Sequence, residues 1–502
     1  MAISADLHDA LAGWGDNAIL EYQDRRCTPE DLARWRQEFR ELLRDGGIAD
    51  DAPVALIARN RLLHAVVMIA CALEERSLAN IYAIQSPESI AAELAALRPS
   101  VVIADAADWH PSIHDAAAAL GAVGIVLDHA GPCTITAAPG IERTGAGPFR
   151  EPPCEPGLEI LSSGTTGPPK RILLPFRIMD RFIATAKAAG GPNAVASPEV
   201  VIMPFSGIGG ASALLANVAL RRTTVLLEKF SVGSWVRAVE RHRPEYVTIP
   251  PAAIRMILDA QVDPGSLRSI RYVTGGGAKL EPALQDEFEA CYGAKILWGY
   301  GATEFGGTLA CWTPELRDRF HARKRGSVGR LLPSVHARIV DPATGKDLGI
   351  GAIGLIEALI PAVGPDWIRT TDLGLLDEEG FLFHHGRADG AIVRGGFKVM
   401  PERIVEAMRQ HTGVRDVAVV AVPSRRLGQV PVAVIQPWPD QPQPSKTGLL
   451  AHARRHLVAH HVPANFYFVS ELPRTLTMKI DQAAVAALVG KLAGADESGC
   501  HG

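Results

Sequence analysis

Short apolar runs that alternate with segments of helical periodicity constrain the fold of this chain more than any other feature. The runs at 54–58 and 101–104 carry no charged residue. Largely apolar runs follow at 200–205, 223–228, 246–249, 270–274 and 294–299, the second, fourth and fifth with one charged residue each. Strands that helices cover on both faces of a parallel sheet read as continuous apolar runs. We therefore predict an α/β fold whose large N-terminal domain contains doubly wound sheets.

The helices between these runs have clear start and stop signals. Thr28 is a favourable N-cap, Pro29 suits the first helical position, and Gly46 ends the helical pattern. Ser86 and Pro87 begin a second helix in the same way.

The pattern changes in the last third of the chain. Beyond residue 326, short strands and turns predict an antiparallel β-subdomain. From about residue 388 a compact α+β unit follows, with predicted helices near 401–411 and 446–459. We predict an N-terminal domain over 1–387 and a small C-terminal domain over 388–502.

Composition excludes several classes of protein. A chain of 502 residues is too long for one ordinary core, and its net charge of −4 gives no basic surface for nucleic acid. No run of about 18 apolar residues predicts a membrane span, and the N-terminus lacks the basic start of a secretory signal. The seven cysteines are scattered, without CxxC spacing, which favours reduced thiols in the cytoplasm.

One segment, 162–170, concentrates hydroxyl groups, glycines and a lysine. It comprises Ser162, Ser163, Gly164, Thr165, Thr166, Gly167, Pro168, Pro169 and Lys170. Exposed N–H and O–H donors beside one cation suit a polyphosphate. The segment lacks the Walker A pattern, and its two prolines predict a following strand instead of a helix. The alternative is a Ser/Gly turn between two strands.

This segment resembles the phosphate loop of the adenylate-forming (ANL) superfamily, which includes acyl-CoA and aryl-CoA ligases, peptide-synthetase adenylation domains and firefly-type luciferases. Five further segments resemble that family's motifs in the family's order, over more than three hundred residues. They are 275–278 (GGAPL), 300–304 (YGxTE), 367–372 (WxxTGD), 386–389 (GRxD) and 474–480 (PKTxxGK).

The resemblance implies a role for each matching residue. The residues implied to bind ATP or AMP are those of the phosphate loop except its prolines, with Gly276, Gly277, Ala278, Tyr300, Gly301, Thr303, Asp372 and Arg387. Thr166, Glu304 and Lys479 are implied to be catalytic, with Glu304 holding Mg²⁺ and Lys479 bridging the carboxylate and the α-phosphate. Asp372 and Arg387 could instead form a structural salt bridge.

The implied acid pocket contains Phe205, Gly207, Ile208, Gly275 and Gly299. Segment 203–210 has no acidic residue to pair with an α-ammonium group, so an α-amino acid is not expected. Gly207 stands where many relatives have a bulky residue, which predicts room for a hydrophobic aryl, fatty or polycyclic acid.

Segment 394–402 resembles the stretch that passes the CoA arm, which places Gly395, Gly396 and Lys398 along a CoA tunnel. Asp389 is the implied hinge of a mobile C-terminal domain; it could instead only cap a turn.

The sequence thus predicts an AMP-forming acyl-CoA ligase that uses ATP, Mg²⁺ and CoA. A stand-alone enzyme that loads an acyl carrier protein is the alternative, and a non-catalytic AMP-binding relic is a more distant one. The oligomeric state stays open. Two patterns are set aside. Segment 349–354 fits GxGxxG but precedes a strand-like run instead of a helix. His452, His456 and His460 share helical spacing but have no acidic partner for a metal.

Overall fold

The computed structural model describes residues 3–161, 171–190, 197–333, 335–388, 390–394, 397–424, 427–475 and 477–498. The predicted phosphate loop 162–170, the predicted hinge Asp389, and the predicted tunnel residues Gly395 and Gly396 lie outside these ranges. The chain divides into two compact units. Unit 1 is Met1–His336 with Leu359–Ile368, and unit 2 is Ala337–Ala358 with Arg369–Gly502.

The described part of the chain forms helices and strands with the following bounds. The helices are α1 Ile3–Ala12, α2 Pro29–Asp45, α3 Leu62–Leu73, α4 Pro87–Leu97, α5 Pro111–Leu120, α6 Met179–Gly190, α7 Ile208–Ala219, α8 Val232–His242, α9 Pro251–Asp259, α10 Pro282–Tyr292, α11 Pro314–Phe320, α12 Pro401–Arg409, α13 Lys446–His456 and α14 Gln482–Ser498. The strands are β1 Leu20–Tyr22, β2 Arg25–Cys27, β3 Val54–Ala58, β4 Leu78–Tyr82, β5 Val101–Asp105, β6 Val123–Asp128, β7 Thr134–Ala137, β8 Gly157–Leu161, β9 Arg171–Pro175, β10 Glu199–Val201, β11 Thr224–Leu226, β12 Tyr246–Thr248, β13 Tyr272–Gly275, β14 Lys295–Ala302, β15 Gly307–Cys311, β16 Arg330–Leu331, β17 His336–Val340, β18 Gly354–Leu359, β19 Trp367–Leu376, β20 Leu382–Arg387, β21 Ile392–Arg394, β22 Phe397–Val399, β23 Val414–Ser424, β24 Gly428–Pro437 and β25 Asn465–Phe468.

Unit 1 contains a seven-stranded sheet in the order β7-β6-β5-β3-β4-β8-β9. The chain passes from β3 to β4 on one side and then crosses to β5 on the other, with parallel pairing from β6 through β8. Strand order therefore reverses between β3 and β5, as in a doubly wound sheet. Two smaller sheets follow in the orders β10-β11-β1-β2 and β12-β13-β14-β15-β16. The predicted α/β class is confirmed.

The predicted N-cap Thr28 begins helix α2, as expected. The N–H of Asp31 donates to the Thr28 hydroxyl at 3.2 Å, and the N–H of Thr28 donates to the Asp31 carboxylate at 3.1 Å. This reciprocal capping box fixes the start of α2, whose Trp35 and Phe39 are buried in the core.

The predicted strand at 200–205 is shorter than expected. Strand β10 ends at Val201. Beyond it, the backbone of Met203 and Phe205 bonds to the Asn60 side chain instead of to a neighbouring strand. A side chain that satisfies the backbone in this way removes the need for sheet pairing.

Unit 2 contains a four-stranded sheet, β17-β18-β19-β20, and a five-stranded sheet with the order β22-β21-β24-β23, to which β25 adds beside β24. The long antiparallel β23–β24 pair packs beneath α12 and α13. Residues 349–354 lead into strand β18, which excludes the dinucleotide interpretation. α13 ends at His456, so His460 lies beyond the helix, contrary to the prediction.

Among the described residues, no helix combines the length and the hydropathy that crossing a bilayer requires.

Candidate active site

The hairpin β8–β9 holds both ends of segment 162–170. Leu161 and Arg171 pair directly across this antiparallel hairpin. A strand does follow the segment, as its prolines predict. The Arg171 guanidinium donates to the backbone oxygen of Asn80 at 3.2 Å and pairs with the carboxylate of Glu93. The first residue after the predicted phosphate loop is therefore tied to strand β4.

The predicted nucleotide segment begins on β14 and turns sharply. Tyr300 is 8% exposed and meets the ring of Phe305 edge to face, with 6.1 Å between ring centroids. A short 3₁₀ turn over Thr303–Phe305 leaves Glu304 exposed. One exposed carboxylate fits Mg²⁺, which proteins hold through one or two carboxylates together with substrate phosphates.

Arg181 on α6 supports this turn and was missed by sequence reasoning. Its guanidinium donates to the backbone oxygen of Phe305 at 2.5 Å and to that of Thr308 at 2.9 Å. Burial lowers the pKa of Arg181. The two carbonyls flank the glycines that follow Glu304, so Arg181 fixes the exit of the nucleotide segment. An arginine on a helix with no motif around it gave no signal in the sequence.

The glycine-rich segment 275–278 lies beside β14. The Trp298 indole N–H donates to the backbone oxygen of Ala278 at 3.0 Å. A Cβ on Gly275 would lie 2.3 Å from the Trp298 ring, so only glycine fits there. A Cβ on Gly276 would lie 2.9 Å from the backbone oxygen of Gly299. Gly276 and Gly277 are exposed, which leaves their backbone open to a ligand.

The predicted acid segment is fixed by two buried asparagines, Asn60 and Asn80. The N–H of Phe205 donates to the Asn60 side-chain oxygen at 2.9 Å, and the Asn80 amide donates to the backbone oxygen of Phe205 at 2.8 Å. The Phe205 side chain is fully buried in the core. Gly207 and Ile208, at the start of α7, are half-buried. The signal for Asn60 is a polar residue just after the apolar strand β3, and that for Asn80 is a polar residue in the middle of the otherwise largely apolar strand β4.

In unit 2, three predicted residues lie close enough to interact electrostatically. Asp372 and Arg387 face each other across the β19–β20 pair. Burial is the main cause that lowers the pKa of Lys479; Asp372 opposes this effect and Arg387 adds to it. Arg387 also donates to the hydroxyl of Thr371, a residue that replaces the glycine of the family motif.

The Lys479 loop is anchored by a half-buried ion triad of Arg409, Asp416 and Arg474. Arg474 contacts the Asp416 carboxylate at 2.5 Å and donates to the backbone oxygen of Met478 at 3.2 Å. Arg409 contacts the same carboxylate at 2.8 Å. Burial alone would raise the pKa of Asp416, but the two arginines hold it below its ordinary value. The ionised Asp416 therefore holds Arg474 in place, and Arg474 in turn holds the backbone of the Lys479 loop.

The predicted CoA segment is described only in part. Arg394 donates to the backbone oxygens of His460 at 3.0 Å and Val462 at 2.7 Å, which anchors β21. Lys398 lies on β22, the antiparallel partner of β21.

His64, Asp105 and His129 form a polar cluster at the carboxyl edge of the seven-stranded sheet. Each offers one nitrogen or carboxylate oxygen that could bind a metal ion, and these atoms lie within 4.8 Å of one another. Nδ1 of His129 contacts Asp105 at 2.9 Å, and its Nε2 accepts from the N–H of Leu63 at 3.1 Å. Arg61 pairs with the same Asp105 oxygen at 2.9 Å. Because both His129 nitrogens are engaged and Arg61 neutralises Asp105, we interpret Arg61, Asp105 and His129 as a structural ion network against which His64 packs.

Two protein families match this chain. The family described as "AMP-binding enzyme" matches residues 7–363, and that described as "AMP-binding enzyme C-terminal domain" matches residues 404–479. 4-Coumarate–CoA ligase-like 2 of Arabidopsis thaliana is 30% identical over 299 residues, 55% of this chain and 51% of that protein. The chain thus spans about half the length of this curated relative.

Two solved structures share the fold. ATP-bound MatB from Rhodopseudomonas palustris matches with a TM-score of 0.83 and 21% identity, covering 97% of this chain and 98% of that one. The amide bond synthetase McbA from Marinactinospora thermotolerans matches with a TM-score of 0.79 and 24% identity, covering 97% and 99%.

Proposed function

We propose that this chain, which belongs to the family of AMP-binding enzymes and is an adenylate-forming enzyme, is an acid–thiol ligase that converts a hydrophobic carboxylic acid to its CoA thioester. In this proposal ATP donates the adenylate group and Mg²⁺ is the required metal ion. The acid is an aryl, fatty or polycyclic one.

The observation that carries the proposal is the setting of Lys479. Lys479 is half-buried, partial desolvation lowers its pKa, and it interacts with Asp372 and Arg387, the two residues matched to ribose-binding positions. A desolvated cation stabilises developing negative charge far better than one in bulk water. Lys479 is therefore suited to the step in which two anions meet.

In the first step, a carboxylate oxygen attacks the α-phosphorus of ATP. An O–P bond to the acyl group forms, the bond to the β-phosphate oxygen breaks, and pyrophosphate leaves. Lys479 and the donors of 162–170 would neutralise the charge that builds at the α-phosphate, and Glu304 would hold Mg²⁺, which supplies Lewis-acid polarisation.

In the second step, a thiol attacks the activated carbonyl. The thiol loses its proton, the carbon–sulfur bond forms and AMP leaves. The resemblance of segment 394–402 to the CoA stretch of ligases supports CoA as the acceptor. The likeness to an amide bond synthetase makes an amine the acceptor to be compared with it.

The test is acid-dependent pyrophosphate exchange, followed by product analysis. Purified protein is given ATP, Mg²⁺ and labelled pyrophosphate with a panel of aryl, fatty and polycyclic acids. Active acids are then offered CoA, a primary amine or a phosphopantetheinyl carrier protein, and AMP and the acyl product are quantified.

We expect exchange that requires an acid, and a thioester only with CoA. Release of ADP instead of AMP, or exchange with no acid dependence, would exclude acid adenylation. Product formed only with the amine or the carrier protein would retain adenylation but exclude the CoA step.

A further inference from the structure

Tyr82, the last residue of β4, faces the space that Gly207 leaves open. A Cβ on Gly207 would lie 3.7 Å from the Tyr82 hydroxyl oxygen and 3.6 Å from the backbone oxygen of Pro204, both ordinary contacts. We propose that Tyr82 forms the wall of the acid pocket opposite Gly207 and donates a hydrogen bond to an oxygen substituent of the acid. This inference rests on the proposed function and narrows its substrate class to oxygenated aryl, polycyclic or fatty acids.

Tyr82 lies at the carboxyl end of β4, the parallel neighbour of β8. β4 and β8 are parallel neighbours, with Leu78 paired to Leu158 and Ala79 to Glu159. β4 ends at Tyr82, and β8 ends at Leu161, directly before segment 162–170. Ligands of open α/β sheets bind outside the carboxyl ends of parallel strands. Tyr82 therefore lies at the ligand-binding edge of the sheet, near the acid segment.

A hydrogen bond between the residues two positions before Tyr82 and before Gly207 holds the two segments together. Asn80 precedes Tyr82 by two positions, and Phe205 precedes Gly207 by two. The Asn80 amide donates to the Phe205 backbone oxygen at 2.8 Å. Because residues i and i−2 of a strand share one face, Asn80 and Tyr82 both point toward the acid segment.

The hydroxyl of Tyr82 is suited to donate. Burial, with a smaller effect from Glu93, raises the pKa of Tyr82, so the group keeps its proton at neutral pH. Within the part of the chain that the structure describes, no hydrogen bond engages this hydroxyl. A half-buried donor that is free of protein partners becomes fully paired when an acceptor of the ligand reaches it.

Tyr82 also changes the expected shape of the pocket. The missing side chain at Gly207 predicts an open apolar wall. Part of that space faces the polar end of Tyr82, so a purely hydrocarbon acid would leave the hydroxyl unpaired. Sites that bury a donor discriminate more strongly than sites that only add a methylene's worth of contact.

The experiment compares matched acids on wild type and Tyr82→Phe. The pairs are cinnamate with 4-coumarate, 2-naphthoate with 6-hydroxy-2-naphthoate, and decanoate with 10-hydroxydecanoate, each assayed by pyrophosphate exchange. We expect kcat/KM for at least one oxygenated acid to fall by about tenfold in Tyr82→Phe, with little change for its hydrocarbon partner or for the KM of ATP. Tyr292→Phe is the matched control. It removes a hydroxyl on α10 that donates to the Ile257 backbone oxygen at 3.3 Å, and it should change neither the kcat/KM for oxygenated acids relative to hydrocarbon acids nor the KM of ATP.

A second pair of variants tests the contact itself. Gly207→Phe should reduce exchange with every acid in the wild-type background, because the new ring meets Tyr82. In a Tyr82→Ala background the same substitution should cost clearly less, so the two changes should be non-additive.

Equal losses for oxygenated and hydrocarbon acids in Tyr82→Phe, or strict additivity with Gly207→Phe, would overturn the assignment while leaving acid adenylation intact. Wild-type protein that exchanges with no acid at all would instead remove the proposed function, and this inference with it.

Discussion

Met478, the residue before Lys479, adopts a left-handed backbone conformation with φ of 60°. Side chains other than glycine pay about 1–2 kcal/mol there. The family motif has glycine at this position, so the motif match identified the place but not how methionine is tolerated. Arg474 supplies the answer, since it holds the Met478 carbonyl while paired to Asp416. Such compensation runs between residues far apart in the chain, and no spacing in the sequence predicts it.

Thr371 is a similar case at the residue scale. It departs from the glycine of the family motif, and in the structure its hydroxyl accepts from Arg387. The motif matches therefore predicted which residues are close, Asp372, Arg387 and Lys479. They did not predict the supporting side chains of each segment. Thr371 accepts from Arg387, Asn60 and Asn80 hold the backbone of Phe205, and Arg181 holds the turn after Glu304.

Replacing Lys479 by alanine should separate the two half-reactions. Loss of one preorganised donor at a developing charge costs about 10²–10³ in rate. Acyl-AMP formation should fall by that factor, whereas thioester formation from supplied acyl-AMP should stay near wild type. Lys491→Ala, at an exposed lysine on α14, is the control and should affect neither. An equal loss in both half-reactions would show that Lys479 does not act in adenylation.

At the scale of elements, α3 is the most constrained helix. Every residue of Leu62–Leu73 is buried, so its sequence is apolar on all faces. His64 is the exception in chemistry, and both of its ring nitrogens are buried without a hydrogen bond among the described residues. The apolar strands were predictable for the same reason as α3, because burial on every side leaves a continuous apolar run. The end of the predicted strand was not, since Asn60 bonds the backbone of Met203 and Phe205 beyond β10.

The titration of His64 predicts how stability responds to acid. Burial, and to a smaller degree His129, lowers the pKa of His64 to about 3; Asp105 opposes this, while Arg61 and Arg59 add to it. Below pH of about 6.5, His64 binds a proton in the unfolded chain but stays neutral in the folded chain. The free energy of unfolding therefore decreases as pH falls toward 3. Asp105, whose pKa is lowered mainly by its bond to His129 against the effect of burial, acts in the same direction at lower pH.

His64→Leu should remove one proton from this acid response. The slope of unfolding free energy against pH, measured by urea titration between pH 6 and 4, should decrease by about 1.4 kcal/mol per pH unit. His336→Leu, at an exposed histidine of β17, should keep the wild-type slope. An unchanged slope in His64→Leu would mean that the folded protein accommodates a charged imidazole at this position.

At the scale of the whole molecule, the matches to the two families cover residues 7–363 and 404–479, leaving 364–403 between them. Compactness divides the chain differently, because unit 2 takes in Arg369–Gly502 together with Ala337–Ala358. The predicted boundary at residue 388 and the hinge at Asp389 remain predictions. Sequence patterns can locate a change of architecture, but a hinge has no chemical signature of its own.

The hinge prediction is testable through the backbone at 389. Proline would fix φ near −65° and resist rotation, whereas alanine would leave the backbone free. We expect Asp389→Pro to retain pyrophosphate exchange and to lose the CoA product, and Asp389→Ala to retain both. Normal thioester turnover in Asp389→Pro would show that the hinge lies elsewhere or that rotation is not needed.

The hydrogen bonds from Asn60 and Asn80 to the backbone of Phe205 bear on how such a protein diversifies over evolutionary time. A backbone N–H and C=O are present whatever side chain the position carries, so substitution nearby leaves the two anchors intact. Residues 82 and 207 can then drift as a pair, one enlarging as the other shrinks, with little penalty to folding. Descendants of a common ancestor should therefore show compensating side-chain sizes at positions 82 and 207 while both asparagines persist. A duplicated gene could then acquire a new range of acid substrates through two substitutions.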